Sequence, residues 1–194
     1  ESRMAKINIH VGGAYGNKKA ALERFCKNFL RLQPSAQARL TVENDDKANM
    51  YSVKDLYEGV YKVVGIPIVF DYFHHKFCTG GMTEEEALKL AASTWGDVKP
   101  CTHYSESRRA EKKLVIEQIC KNNNITIEQM QDWPTLAGHY KEFSKIKEQA
   151  HSDYIKEEIK DYGLDIDVVV EAKAKELAFM KEKYKKVLTE VLPC

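Results

Sequence analysis

In Ile66-Pro67-Ile68-Val69-Phe70-Asp71-Tyr72-Phe73-His74-His75, an apolar run typical of a buried strand ends in an acid, and a histidine follows three residues later. A carboxylate and an imidazole at the C-terminal end of a strand are a common beginning of a metal site. Similar apolar runs lead into His10, Glu43, His103 and Glu171. The repetition predicts that these side chains share one rim of a sheet.

Predicted strands and helices alternate on both sides of this stretch. The predicted strands cover residues 6–11, 38–42, 66–70, 98–102 and 168–171. Helix starts are indicated by Asn17, by Ser52 with Asp55, and by Thr83 with Glu86, since these residue types cap helices at this spacing. A charged amphipathic helix is predicted over 174–188. Short strands separated by helices indicate βαβ units and therefore a parallel sheet.

Polar residues at the C-terminal ends of parallel strands are typical of a TIM barrel, and also of open α/β sheets. The sequence offers five strands in 194 residues, whereas a closed eight-stranded barrel usually needs about 250 residues. We predict a TIM barrel (β/α)8 fold, with this chain covering about the C-terminal five β/α units, and an open five-stranded sheet as the alternative. Residues 1–194 are interpreted as one domain, with a helical insertion over 107–150 in a rim loop.

Composition limits the function classes. The net charge of +1 gives no global basic signal, although a local basic patch that binds nucleic acid remains compatible with it. No apolar run of about 18 residues is present, so we expect no membrane partner. The N-terminus lacks a signal-peptide pattern, and the five scattered cysteines form no CxxC pair. These features favour an intracellular protein of the cytoplasm or nucleus and disfavour a disulfide framework.

Histidines and carboxylates without thiolates suit Zn²⁺, Mn²⁺ or Fe²⁺. The candidates are too many for one tetrahedral ion, and they predict a cluster of two or three metals bridged by carboxylates. Plain structural interpretations stay open for single residues. Glu43 could cap the following turn, Glu171 could pair with lysines at the surface, and His75 could be a hydrogen-bonded structural histidine.

Five short motifs occur in the same order as in a known protein family. Residues 10–18 (HVGGAYGNK), 40–46 (LTVENDD), 69–75 (VFDYFHH), 103–105 (HYS) and 170–173 (VEAK) resemble the UV damage endonuclease family. That family is similar to endonuclease IV, a TIM barrel with two or three divalent metals at its C-terminal rim. The resemblance implies an enzyme that nicks double-stranded DNA on the 5′ side of UV photoproducts or abasic sites, using water activated by Mn²⁺ and/or Zn²⁺. It also implies a monomer for the full-length form.

The resemblance implies roles for individual residues. Those matching metal ligands are His10, Glu43, Asp71, His74, His103, His151 and Glu171. Glu43 and Glu171 would be bridging carboxylates, and together with His103 they form the expected catalytic set. Asn44 and Asp45 would support the metal ligands. The expected substrate-binding residues are Tyr15, Asn44, His75, Arg108 and Lys173.

Two departures from the family matter. The family generally has three more strands before the His10 strand, and a lysine where this chain has Cys101, with Lys99 two residues earlier. The first departure makes a non-catalytic truncated barrel or a DNA-binding fragment the main alternative to an active nuclease. A metal-dependent sugar isomerase on a similar barrel is a further alternative, although the motif set favours the nuclease.

Overall fold

The computed structural model describes residues 5–178. Two compact units make up this part of the chain. Unit 1 takes in residues 5–104 and 158–170, and unit 2 takes in 105–157 and 171–178. Among the described residues, no helix combines the length and the apolar character that crossing a bilayer requires.

A parallel sheet of five strands forms the centre of unit 1, with its strands in chain order. The strands are Ile7–Ile9 (β1), Leu40–Glu43 (β2), Ile68–Asp71 (β3), Cys101–Tyr104 (β4) and Asp167–Val170 (β5). Each strand pairs in parallel with the next. The α/β class and the parallel sheet are therefore confirmed, while closure into a full barrel stays a prediction.

The helices of unit 1 lie between these strands in the chain. They are Lys18–Phe29 (α1), Pro34–Gln37 (α2), Val53–Leu56 (α3), Lys62–Val64 (α4), Tyr72–His75 (α5) and Glu84–Ala92 (α6). A π-helical turn over Tyr57–Tyr61 joins α3 to α4, and a 3-10 turn over Ser93–Trp95 follows α6.

The predicted helix caps are present. The Asn17 side chain accepts a hydrogen bond from the backbone N–H of Ala20 at the start of α1. Ser52 with Asp55 and Thr83 with Glu86 each form a complete capping box. These caps satisfy backbone donors that a helix leaves without partners at its N-terminus.

Several boundaries differ from prediction, and prolines account for most of the difference. β3 and β4 begin later than predicted, because Pro67 and Pro100 have no N–H to donate to a neighbouring strand. The helix α1 ends at Phe29, and Pro34 occupies the first turn of α2, where its fixed φ is favourable. Beyond residue 178, the helix predicted over 174–188 lies outside the described residues.

The two faces of the sheet differ in chemistry. Val42, Ile68 and Phe70 point to the face that packs against the helices, and all three are fully buried. The strand register places Glu43 beside Val69 and Asp71 beside His103, so these alternate side chains point to the opposite face. Polar side chains therefore collect on one face, close to the C-terminal ends of β2, β3 and β4.

Unit 2 is helical over most of its length. It contains Arg108–Asn123 (α7), a 3-10 turn over Glu128–Asp132, and Ala137–Ser144 (α8). Its own small core is formed by Ile116, Cys120, Met130 and Phe143. The residues predicted to form a helical insertion are thus helical; their status as an insertion stays a prediction.

The start of β3 depends on side chains from the turn after α6. The backbone N–H of Ile68 donates to Thr94 Oγ1 at 2.9 Å, and the Trp95 indole N–H donates to the Ile68 carbonyl at 2.8 Å. Both side chains are buried. These two contacts fix the first residue of the strand that carries Asp71.

We therefore expect Thr94→Val to lower the free energy of unfolding by about 1–3 kcal/mol, because valine keeps the volume but leaves the buried Ile68 N–H without this acceptor. Urea denaturation measures the change. Ser93→Ala, which removes an exposed hydroxyl of the same turn, is the control and should have little effect. Equal stability of Thr94→Val and the wild-type chain would contradict the assignment.

Candidate metal centre

Five of the predicted ligands gather in unit 1. His10 directly follows β1, Glu43 and Asp71 are the last residues of β2 and β3, His103 lies in β4, and His74 lies in α5. Because parallel strands end at the same edge, residues far apart in the chain are neighbours here.

Glu43 lies at the middle of this group. One oxygen, Oε1, is 3.1 Å from His74 Nδ1; the other, Oε2, is 3.2 Å from His103 Nδ1 and 4.0 Å from His10 Nε2. Ligand atoms of His10, Glu43 and His74 lie within 4.8 Å of one another, and so do those of Glu43, Asp71 and His103. Glu43 belongs to both sets. A carboxylate that bridges two ions has to be a member of two such sets.

The negative charge of Glu43 and the positive charge of His74 stabilise each other. Burial alone would raise the pKa of Glu43, but hydrogen bonds from His103 and His74 outweigh burial and hold that pKa well below the usual range of a glutamate. Burial alone would lower the pKa of His74, yet the Glu43 carboxylate, helped by Asp71, raises it to about 9. At neutral pH, Glu43 is therefore ionised and His74 carries a proton.

The three-residue spacing of Asp71 and His74 has a local cause. Asp71 is the N-cap of α5, and its Oδ1 accepts a hydrogen bond from the His74 backbone N–H at 2.7 Å. The same carboxylate remains near the imidazole, with Oδ2 at 3.8 Å from His74 Nδ1. A helix cap thus sets the distance between two candidate ligands.

Asn44 has a structural role in the site, and its predicted contact to substrate stays a prediction. Its side chain is fully buried and bonds the backbone of Asp71 twice, accepting from the N–H at 2.9 Å and donating to the carbonyl at 3.0 Å. The Asn44 carbonyl also lies 3.0 Å from His74 Nδ1. The residue is turned inward, so it positions two candidate ligands and does not reach the surface.

Asp45 lies beside one of the candidate ligands. Its Oδ1 lies 3.5 Å from His10 Nδ1, and the backbone N–H of Tyr51 donates to its Oδ2 at 3.4 Å. Burial raises the pKa of Asp45, against the opposing charge of His10. A carboxylate behind a histidine fixes the ring orientation and the tautomer, which is a frequent arrangement around metal ligands.

Asn8 was missed by sequence reasoning. Its side-chain amide donates a short hydrogen bond to Glu43 Oε2, and its Oδ1 accepts from Thr41 Oγ1 at 3.1 Å. The signal was present in the sequence, since Asn8 lies two residues before His10 and therefore on the same face of β1. The two hydrogen bonds link Thr41, Asn8 and Glu43 in series. They hold the Glu43 carboxylate from β1, whereas the histidines contact it from α5 and β4.

Cys101 stands where the UV damage endonuclease family is expected to have a lysine, and Lys99 lies two residues before it. Cys101 is partly buried and lines a cavity of about 320 Å³ together with Asn8 and His103. The Lys99 ammonium forms ion pairs with Asp165 at 2.8 Å and Asp167 at 3.0 Å. Lys99 is therefore engaged with two acids of unit 1.

The remaining two predicted ligands pair in unit 2. His151 Nδ1 lies 3.5 Å from Glu171 Oε2 and 3.2 Å from the Glu171 carbonyl. Hydrogen bonds from the Lys173 N–H to the Ser152 carbonyl at 2.9 Å and from the Ala174 N–H to the Asp153 carbonyl at 3.0 Å hold the two segments together. The unit thus presents its own imidazole–carboxylate pair.

The other predicted substrate-binding residues differ in exposure. The Tyr15 side chain is 88% exposed, Lys173 is exposed, and Arg108 is partly exposed beside Asp153 at 3.7 Å. His75 is buried against the Phe70 ring, and burial lowers its pKa. His75 therefore packs in the core of unit 1 as well, and its predicted contact to DNA stays a prediction.

Comparisons with known proteins identify the family of the chain. A sequence profile of the family described as UV-endonuclease UvdE matches residues 1–191. A UV DNA damage endonuclease of Bacillus mycoides (strain KBAB4) is 32% identical over 185 residues, which is 90% of this chain and 46% of that protein. The UV-damage endonuclease of Neurospora crassa is 38% identical over 117 residues, which is 55% of this chain and 17% of that protein.

A solved structure is also similar to this chain. The crystal structure of SacUVDE has a TM-score of 0.65 and 29% sequence identity, and the match covers 96% of this chain and 52% of that one. The chain spans about half or less of the length of these proteins. The ordered motifs, the profile match over nearly the whole chain and the structural similarity lead to one conclusion: the chain belongs to the UV-endonuclease UvdE family.

Proposed function

We propose that the chain carries the metal-binding part of a DNA repair endonuclease that nicks double-stranded DNA 5′ to UV photoproducts or abasic sites. The observation that carries the proposal is the Glu43 carboxylate, which lies within reach of three imidazoles from separate segments. Family membership and relatives named as UV damage endonucleases support it. We further propose that the five β/α units are the C-terminal part of a (β/α)8 barrel, and that the full-length form is a monomer.

The donor set fits two or three divalent ions, Mn²⁺ and/or Zn²⁺, because it combines imidazoles with carboxylates. The residues that would hold them are His10, Glu43, Asp71, His74 and His103, with His151 and Glu171 as a further pair. When bound, such ions supply Lewis acidity toward a phosphodiester and activate water. No protein nucleophile is needed for this chemistry.

The residues of the chain have distinct tasks in this proposal. Glu43, Glu171 and His103 are the proposed catalytic residues, and each of the two carboxylates contributes negative charge that divalent ions need. Asn8, Asn44 and Asp45 keep the ligands in place through the hydrogen bonds and contacts described above. The exposed Tyr15, Arg108 and Lys173 are the proposed contacts to DNA, since aromatic and cationic side chains bind bases and phosphates.

A non-catalytic role is the second candidate function. We consider it because the match covers only about half of the longer relatives. In that case the chain would bind metal and DNA without cutting. Family membership disfavours a sugar isomerase. An incision assay separates the two remaining functions directly.

We expect the chain to nick a duplex that contains one defined UV photoproduct, immediately 5′ to the lesion, in the presence of Mn²⁺ and not after chelation. Glu171→Gln should lower incision more than about 100-fold while DNA affinity changes little, because the substitution keeps shape but removes charge from the metal ligands. Denaturing gels measure incision, and fluorescence anisotropy measures binding.

Glu176→Gln is the matched control for this assay, because the same substitution falls on an exposed residue of the same segment. An undamaged duplex controls for lesion specificity. Metal and DNA binding by the wild-type chain without any nick would support the non-catalytic role. Parallel loss of binding and cutting in Glu171→Gln would contradict the catalytic assignment.

Metal binding should release protons. His74 has a pKa of about 9 and is therefore protonated at neutral pH, whereas a metal ligand must be neutral. We expect metal affinity to rise as pH increases toward 9 and about one proton to leave His74 on binding near neutral pH. Titration calorimetry in two buffers of different ionisation enthalpy counts the protons released.

His74→Gln should bind metal more weakly and release fewer protons. His139→Gln, at an exposed position of unit 2, is the control and should behave as the wild-type chain does. A pH-independent affinity, or proton release that is unchanged in His74→Gln, would contradict the role of His74.

Asn8 should matter for metal binding although it is not a predicted ligand. We expect Asn8→Leu to weaken metal affinity by about 10- to 100-fold, because Glu43 loses the donor that orients it. Titration calorimetry measures affinity, and thermal unfolding in chelator shows whether the fold persists. Asn28→Leu, on an exposed position of α1, is the control. Unchanged metal affinity in Asn8→Leu would show that Glu43 needs no such support.

A further inference from the structure

The turn that follows β1 has an unusual sequence for its geometry. The backbone N–H of Asn17 donates to the Ala14 carbonyl at 2.9 Å, which closes a four-residue turn. Its two central residues, Tyr15 and Gly16, have φ values of 49° and 75°. Turns with two positive φ values normally contain Asn, Asp or Gly at these positions, and a tyrosine there is strained.

The fold fixes this strained conformation. Asn17, the last residue of the turn, is also the N-cap of α1, with Oδ1 at 3.0 Å from the Ala20 backbone nitrogen. On the other side, Gly12 has a φ of 95° and connects the turn to His10 at the end of β1. Neither end of the turn is free to relax without disturbing a strand or a helix.

Burial does not offset the strain at Tyr15, because its side chain is 88% exposed. The ring lies across the backbone of Gly13, where a Cβ would be 3.0 Å from Tyr15 Cζ. The Arg24 guanidinium carbon is 6.0 Å from the ring centroid. The turn therefore presents an aromatic ring to solvent, beside a cation.

Backbone strain that is not offset by packing is a recurring mark of functional positions. An exposed aromatic ring beside an arginine suits an unstacked nucleic-acid base, since the ring stacks on the base and the guanidinium binds a neighbouring phosphate. The ring is also tethered to the candidate metal centre. Tyr15 is five positions after His10 in the chain, a span of less than about 18 Å even when fully extended.

We propose that Tyr15 is a preformed stacking platform for a base that has lost its stacking neighbour at a DNA lesion, with Arg24 binding an adjacent phosphate. The proposal rests on the proposed function, because it requires that the chain bind damaged DNA. The strained turn keeps the ring in place before DNA arrives, which reduces the entropy lost on binding.

Tyr15→Asn tests the two halves of the proposal together. Asparagine accepts a positive φ, so the variant should be more stable than the wild-type chain, with a rise in Tm of about 2–4 °C. The same variant should bind a duplex with one abasic-site analogue at least about fivefold more weakly, because a stacking contact is lost. Tyr15→Phe should keep the affinity within about twofold, since the ring is retained.

Binding is measured by fluorescence anisotropy of the labelled duplex with the full chain and without added metal, so that no incision interferes. Tyr162→Asn is the matched control, because Tyr162 also has a positive φ of 52° but its hydroxyl donates to Glu84. This control should leave DNA affinity unchanged.

Higher Tm together with weaker binding in Tyr15→Asn would establish the platform, because a purely structural residue does not give this combination. Wild-type affinity in Tyr15→Asn would overturn the proposal while leaving the proposed function intact. Equal losses in Tyr15→Asn and Tyr15→Phe would overturn it as well, because they would assign the contact to the hydroxyl. A wild-type chain that binds no damaged DNA would overturn the proposed function and this inference together.

Discussion

The buried negative charge of Glu43 is the constraint on which the site depends. A carboxylate that is only 4% exposed is costly unless cations and hydrogen bonds compensate it. Here the compensation comes from three imidazoles, on segments that follow β1, lie in β4 and form α5. Because each partner comes from a different segment, the charge stabilises only one arrangement of these strands. The same interaction therefore serves the fold and the chemistry.

Three consecutive residues extend this control to both neighbours of β2. Glu43 contacts the histidines, Asn44 bonds the backbone of Asp71 at the end of β3, and Asp45 orients His10 after β1. In a parallel sheet the ends of adjacent strands are held only by the ladder and by the loops. Polar side chains that cross between strand ends add the directional contacts that the ladder lacks, and they do so where the ligands must be precise to a few tenths of an ångström.

Much of this arrangement could be predicted from the sequence. The strand-end acids and histidines, the helix caps and the parallel sheet follow from local patterns, since each depends on residues that are close in the chain. The strand starts were less predictable, because Pro67 and Pro100 suit an apolar run but offer no donor to the sheet. Asn8 and Asn44 were the hardest, since their roles depend on which residue lies across the sheet.

Asn44 illustrates the limit in physical terms. From the sequence, an asparagine after a strand is an equally good candidate for a turn, for a ligand support or for a contact to substrate. Only the register of β2 against β3 shows that its amide faces the Asp71 backbone and forms two hydrogen bonds there. The motif identified the residue, but the sheet pairing determined what the residue does.

Two energetically unfavourable features are therefore found at the same end of the sheet. Tyr15 holds an unfavourable backbone angle without burial, and Glu43, Asp45 and Asp71 place three buried acids close together. The raised pKa of His74 shows how the acids are tolerated, because a proton on the ring supplies positive charge that a divalent ion would otherwise supply. Elsewhere in unit 1, caps and core packing follow the preferences of the sequence. A strained, exposed tyrosine and a group of buried acids beside the candidate ligands are what selection for binding and chemistry, and not for stability, would leave.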